Sequence, residues 1–167
     1  YSKPKNLALG KEVKQSSTYT VGVKTWHQPE LASNGDIRGE GEKYCTHTTR
    51  DSQAWWEVDL GAVAVVEKII FWNRTDEPMD RGQPRDYFTK RMFPCWVLVS
   101  VEELPDKRED GLEEALDVAD CARRFDDNVR CTEWSVPVNT TGRYVRIQLE
   151  KKDFLHFAQL EVCGTWG

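Results

Sequence analysis

The chain has 167 residues, 39% of them hydrophobic, which is the length of one ordinary domain with a real core. Its net charge of -5 lacks the clustered cationic excess that nucleic-acid backbones require, so no nucleic-acid partner is expected. A mean hydropathy of -0.65 and the lack of any apolar run of membrane-spanning length argue against membrane insertion by a helix.

In chain order, Val13 to Thr20 is rich in β-branched and hydroxyl residues and reads as an edge strand. Residues 21–47 show no sustained period and contain Pro29, Asn34-Gly35, Gly39 and Gly41, the composition of a long ordered loop. From Trp56 the pattern becomes regular. Trp56, Val58 and Leu60 alternate with Glu57 and Asp59 as in a half-buried strand. Gly61 interrupts, and Val63 to Trp72 is a nearly continuous apolar run, expected to be covered on both sides. Val97, Val99 and Val101 alternate again, and Val145, Ile147 and Leu149 do so against Tyr144, Arg146 and Gln148, with Leu160-Glu161-Val162 closing the set. Short strands between turn residues predict an all-β sandwich in one domain, residues 1–167. The exception is Glu113 to Arg124, where Leu112, Ala115, Leu116, Ala119 and Ala122 fall at helical spacing and predict a short surface helix within an insertion of residues 103–130.

Cysteines 45, 95, 121, 131 and 163 lack paired C-x-x-C spacing, which disfavours structural zinc. Two disulfides and an odd thiol suit a secreted domain. Cys121 and Cys131 are close enough in sequence to close a short loop, and Cys45 would reach Cys163 if the C-terminus returned beside the polar loops. The sequons Asn73-Arg74-Thr75 and Asn139-Thr140-Thr141 point the same way, to an extracellular or cell-surface location. The chain opens without a signal peptide, as a mature or excised domain does.

The polar residues concentrate around the central strand. His47 is followed by 26 intervening residues, Arg74, one residue, Asp76, four residues and Arg81. One imidazole and two forked guanidiniums at the ends of a rigid strand suit a polyhydroxylated or anionic small ligand. This spacing resembles the sugar-binding signature of the F-type lectins, the fucose-binding fucolectins of eel-agglutinin type. Asn6-Leu7-Ala8 with Gln15-Ser16-Ser17, Trp55 to Gly61 and Gly142 to Ile147 resemble the family's opening, central and late strands, so the likeness covers nearly the whole chain.

The resemblance implies a jelly-roll β-sandwich of the discoidin or galactose-binding-like kind that recognises terminal L-fucose on glycans or glycoproteins, without catalysis. His47 and Arg74 would bind the axial 4-hydroxyl, Arg74 the ring oxygen, and Arg81 the 3-hydroxyl. Asp76 would brace an arginine fork. Tyr44, Trp26 and His27 are candidates to cover the sugar's apolar side. Pro78 offers a further apolar patch where the eel-type protein has adjacent cysteines. The family's structural calcium would correspond to the Leu31 and Tyr44 carbonyls, the Asn34 and Asp36 side chains, and Ala158-Gln159, with Gln159 standing where the family usually has Glu. The insertion Gly82 to Phe93 is basic and aromatic, either a solvated hairpin or a flap beside the pocket. A single shallow site implies avidity from a homo-oligomer or tandem domains. Two other classes compete. A hydrolase has no G-x-S-x-G, H-E-x-x-H or P-loop to support it, whereas a degenerate lectin fold serving as an adhesion domain would use the Trp26 and Tyr87-Phe88 loops.

Overall fold

The computed structural model describes residues 5–20, 22, 26–76, 78, 82–84, 87–126 and 133–167. Ten strands and one helix follow in order: β1 (Lys5–Asn6), β2 (Glu12–Gln15), β3 (Thr46–His47), β4 (Asp51–Ser52), β5 (Trp55–Asn73), β6 (Cys95–Ser100), α1 (Leu112–Val118), β7 (Cys121–Phe125), β8 (Glu133–Leu149), β9 (Lys152–Asp153) and β10 (His156–Trp166). Three-residue-per-turn helices at Pro29–Ala32, Glu42–Tyr44 and Thr89–Met92 punctuate the loops.

The two long strands, β5 and β8, build both layers of the sandwich. The first half of β5 pairs with β2 and with the second half of β8, which continues to β6 and β7. The second half of β5 pairs with β10 and with the first half of β8. Partners change at a register shift between Asp59 and Ala64, where Gly61 has φ +86, a left-handed conformation that favours glycine. Between the layers lie Trp56, Val58, Leu60, Ile69, Phe71, Val97, Ile147, Phe157 and Leu160.

Several expectations about faces and elements change. The Val63 to Trp72 run is covered on one side only: Val63 and Val65 are 41% and 44% exposed while Ala64, Val66, Ile69 and Phe71 are buried. Conversely, the Tyr144, Arg146 and Gln148 face, which alternation would give to solvent, is buried. Part of the 103–130 insertion lies across it, packing Leu104 and Ala115 against Leu98. Beneath this cover the Arg146 guanidinium pairs with Glu57 at 3.0 Å, donates to the Pro105 carbonyl at 3.0 Å and stacks on Trp55 at 4.0 Å. Glu57, read as a solvent-facing alternate, is therefore also interior.

The helix, finally, ends at Val118 rather than Arg124. Ala119 turns to extended backbone, and Cys121–Phe125 pair along β6 as β7. Completing the ladder on an otherwise open strand outweighs two alanines at helical spacing. The edge strand read at residues 13–20 is likewise limited to β2, since Ser16 and Ser17 turn their hydroxyls to the Asp51 carboxylate.

Cys45, Cys95, Cys121 and Cys163 are free, buried thiols. The Cys45–Cys163 bridge is ruled out by register. Thr46 pairs with Phe157 whereas Cys163 lies six residues further along β10, about 20 Å away at strand rise. Cys121 lies near the Val138 carbonyl instead of in a bridge, and Cys131 falls outside the described residues. The Asn73 sequon is buried, its amide donating to the Thr89 carbonyl, whereas Asn139 is exposed.

Because Arg146 is fully buried, removing Glu57 leaves its interior charge with only the exposed Asp106 carboxylate, 3.8 Å away. Glu57→Leu is expected to cost about 3–5 kcal/mol in urea denaturation, and Glu57→Leu with Arg146→Leu to recover most of that loss. A single-variant cost below about 1 kcal/mol would show the pair to be solvated.

Candidate functional site

Strand β10 assembles the site by pairing on both edges. On one edge His156 faces His47 and Phe157 faces Thr46; on the other, Phe157 faces Asn73. His47 and Arg74, distant in sequence, therefore arrive on either side of one strand. Close packing of the preceding loop holds this arrangement. The Gly39 carbonyl accepts from Thr75 N at 2.8 Å, and a Cβ on Gly39 would sit 2.5 Å from the Asn73 carbonyl oxygen. Only glycine permits that approach. The His47 backbone is fixed by donation to the His27 carbonyl at 3.2 Å and by acceptance from Tyr19 N at 2.9 Å.

The protonation of His47 follows from its partner. Nδ1 lies 2.6 Å from the Thr48 carbonyl, which only accepts, so Nδ1 carries the proton and Nε2 presents a lone pair. Burial lowers the imidazole pKa to about 3, so this neutral tautomer persists at physiological pH. Arg74 is held as a fork by Asp76, Nε to Oδ1 at 2.5 Å and Nη2 to Oδ2 at 2.8 Å. His47 Nε2 and Arg74 Nη1 make no hydrogen bond to any described residue. An acceptor and a charged donor are thus kept available from opposite edges of β10. Arg81 lies outside the described residues.

Around this pair the chain gathers aromatic rings. All three histidines stand in a row, His27 to His47 and His47 to His156 both 5.1 Å between centroids. His156, not singled out from the sequence, is fully buried with both ring nitrogens unpartnered, and burial holds its pKa well below the usual imidazole range. The only signal for it was Leu155-His156, a polar residue opening a mostly apolar strand. Phe154 packs on His47 at 5.4 Å, and the Phe88 ring lies 3.7 Å from the Arg74 guanidinium carbon. Within the 82–93 insertion, residues 87–93 are therefore no solvated hairpin. Its Thr89–Met92 turn buries Met92, with Phe93 beside it, in the core and sets Phe88 over Arg74.

The other apolar candidates divide. His27 is buried in the ring row with Nδ1 at 2.9 Å from the Tyr19 carbonyl, and half-buried Trp26 stands edge-on to it at 6.5 Å. Tyr44 lies instead beneath Arg38 and Lys43, at 4.4 and 5.1 Å. Pro78 is half-buried.

Asn34, Asp36 and Gln159 do converge. Gln159 Nε2 donates to Asn34 Oδ1 and to the Asp36 carbonyl, both at 3.1 Å, tying the loop to β10 beside buried Ala158. The Asp36 carboxylate faces Arg38, whose hydrogen bonds lower its pKa. Leu31 closes the Pro29–Ala32 turn, donating its N–H to Gln28. Gln159 Oε1 is buried without a partner. Among the described residues no group of three or more His, Cys, Asp or Glu side chains is placed to hold a metal. A cation here would rest on carbonyl and amide oxygens.

A model of a NedA-like, galactose-binding domain matches residues 31–92, the segment holding the loop, His47, β5 and Arg74. Comparison with curated proteins gives no match. Among solved structures, the lectin domain of lectinolysin complexed with Lewis B antigen is similar at 26% identity and TM-score 0.72, covering 96% of this chain and 97% of that one. A fucose-binding module of Streptococcus pneumoniae is similar at 27% identity and TM-score 0.69, over 95% and 96% of the two chains. The fucolectin of striped bass (Morone saxatilis) serum shares the fold at 22% identity and TM-score 0.71, with 99% of this chain spanning 50% of that one. The resemblance drawn from the His-Arg-Asp-Arg spacing therefore holds, and the chain carries the galactose-binding-like sandwich of the fucose-binding modules and F-type lectins.

Proposed function

We propose that this chain is a non-catalytic carbohydrate-binding module that holds a terminal L-fucose of extracellular glycans at His47 and Arg74, with Arg81 as a third contact. The observation that carries the reading is the pairing of a fixed acceptor with a fixed cationic donor. One axial hydroxyl donates its proton to His47 Nε2 and accepts from Arg74 Nη1, so both halves of its hydrogen-bonding capacity are met. An equatorial isomer leaves the arginine donor unpaired and is rejected. Phe88 and Phe154 supply the apolar wall for the sugar's methyl and ring carbons. The Lewis B complex of the lectinolysin domain and the pneumococcal fucose-binding module support fucose as the ligand class. The compartment rests on the serum origin of the bass fucolectin, since the described cysteines are unbridged. Useful avidity would come from oligomers or tandem copies.

A second reading has its own observation. His47 and Arg74 are each only 5% exposed, and Phe88 covers one face of the guanidinium. A site so covered suits an adhesion domain that no longer admits sugar. Titration with L-fucose, followed by NMR on wild type and Arg74→Lys, separates the two. Binding in the wild type, weakened at least ~30-fold in Arg74→Lys with little change in thermal midpoint, is expected, because lysine cannot reproduce the fork. No binding by the folded wild type would favour adhesion.

Structural calcium forms part of the same reading. Reversing the Gln159 amide would turn its orphaned Oε1 toward Asn34 Oδ1 and the Asp36 carbonyl, a set of facing oxygens that an intervening cation would stabilise. Bound there with the Leu31, Tyr44 and Ala158 carbonyls, calcium would order the loop that presents His47. Adding calcium to chelator-treated protein is expected to raise the thermal midpoint, Asn34→Ala to abolish the rise, and Gln159→Glu to enlarge it by adding a charge. No shift in the wild type would remove calcium from the account.

The depressed histidines set the pH response. His47 and His156 fold with pKa values below that of the unfolded chain, so the unfolded state binds more protons below about pH 6.5. Stability is full above that pH and falls as acid is added, by up to about 1.4 kcal/mol per pH unit for each histidine. Fucose affinity, which needs neutral His47, stays level from pH 8 to pH 5 as long as the fold persists. Denaturation midpoints at pH 7.5 and 5.0 check the first statement, with His156→Leu expected to flatten the slope. Affinity that collapses near pH 6.5 would contradict the second.

A further inference from the structure

A cleft of about 880 Å³ opens beside the His47 and Arg74 site, although neither residue lines it. Its walls come from residue 50, the 87–94 segment, residues 124–126 and residues 151–154. Five cations line it, Arg50, Lys90, Arg91, Arg124 and Lys151, against the carboxylates of Asp126 and Asp153. This sign is opposite to that of the chain as a whole, whose net charge is -5.

Two of the five are already neutralised. Arg124 pairs with Glu150 at 2.6 Å and Lys151 with Asp153 at 3.5 Å. Arg50, Lys90 and Arg91 have no ion-pair partner among the described residues. Arg91 is held instead by ring faces, its guanidinium carbon 4.7 Å from Tyr87, 5.1 Å from Phe88 and 5.1 Å from Phe154. A guanidinium clamped between aromatic faces keeps its planar N–H edge for a forked acceptor. Three unpaired like charges around one cleft repel each other, a cost that a bound anion removes.

The cleft and the His47 and Arg74 pair share two rings. The Phe88 ring lies against both Arg74 and Arg91, and the Phe154 ring against both His47 and Arg91. The two signature groups and the cationic wall therefore pack on the same aromatic pair. The volume is that of a small-molecule site, enough for one or two further sugar rings.

We propose that this cleft binds an acidic sugar unit, bearing a sulfate ester or a carboxylate, of the same glycan whose fucose sits at His47 and Arg74. The inference rests on the fucose reading above. The anion takes the Arg91 fork and the Arg50 and Lys90 charges, while the C–H face of its ring lies on Tyr87 or Phe154. The 82–93 insertion thus extends recognition from one neutral residue to a charged oligosaccharide.

Calorimetry on the whole chain tests this with fucosylated oligosaccharides that differ at one position of the neighbouring sugar, carrying a hydroxyl, a sulfate ester or a sialic acid. The same sulfated oligosaccharide lacking fucose completes the set. At low salt the charged ligands are expected to bind at least ~10-fold tighter than the neutral one, as charge-assisted hydrogen bonds allow. That gain shrinks as salt is raised and disappears in Arg50→Ala/Lys90→Ala, which binds the neutral ligand as wild type does. The preferred charged ligand identifies sulfate or carboxylate as the anion. Equal wild-type affinity for neutral and charged ligands overturns the cleft and leaves the fucose site standing. Binding of the fucose-free sulfated ligand, lost in the double variant, with no binding of the neutral fucoside, supports the cleft and overturns the fucose site. Absence of binding to all four overturns both.

Discussion

The double pairing of β10 is the constraint on which the rest depends. A strand bonded to β3 on one edge and to β5 on the other brings the end of a long loop and the end of the central strand to the same place. His47 and Arg74 owe their proximity to that ladder and to nothing local. The ladder also explains the tight loop packing at Gly39 and the interior position of His156, which occupies the strand between them. A histidine with neither nitrogen paired is costly in an interior. Its place between His47 and Phe88 adds low-dielectric surroundings that keep His47 neutral.

Each insertion solves a different physical problem. The segment after β6 covers the outer face of the β6–β8 layer and turns a solvent-facing alternation into an interior holding Arg146 and Glu57. Two charges removed from water add little net stability, but each is the other's buried counter-charge, with Lys14 and Asp106 as more exposed second partners. The 82–93 segment acts at the site. Met92 and Phe93 anchor it in the core, and that anchorage places Phe88 on Arg74 and Arg91 among three rings. The same few residues thus cover the His47 and Arg74 pair and build the cationic wall beside it.

Charge distribution separates these surfaces more clearly than total charge does. A net charge of -5 says only that nonspecific attraction to polyanions is weak. Within it, a local cluster of cations backed by aromatic rings creates a positive field that screening confines to the cleft. In the proposed function, oriented donors and a fixed tautomer at His47 would supply the isomer discrimination, and the adjacent charge would supply selection among glycans that end alike.

By itself the sequence determined the sandwich, the central strand with its one-sided Trp56, Val58 and Leu60 face, and the His47, Arg74, Asp76 and Arg81 spacing, because these rest on local period and fixed separation along the chain. It determined residue types at the site but not their exposure. Tertiary structure decided which faces are covered. Glu57, Arg146 and His156 are interior only because distant segments lie over them, and Val63 and Val65 are exposed because nothing does. It also ended the helix at Val118, where pairing with β6 outweighs helical spacing, and kept Cys45 from Cys163 through strand register. The cationic cleft lay beyond the reach of the sequence for the same reason. Its cations come from four stretches of chain, and only the packing of rings between them gives those charges a common direction.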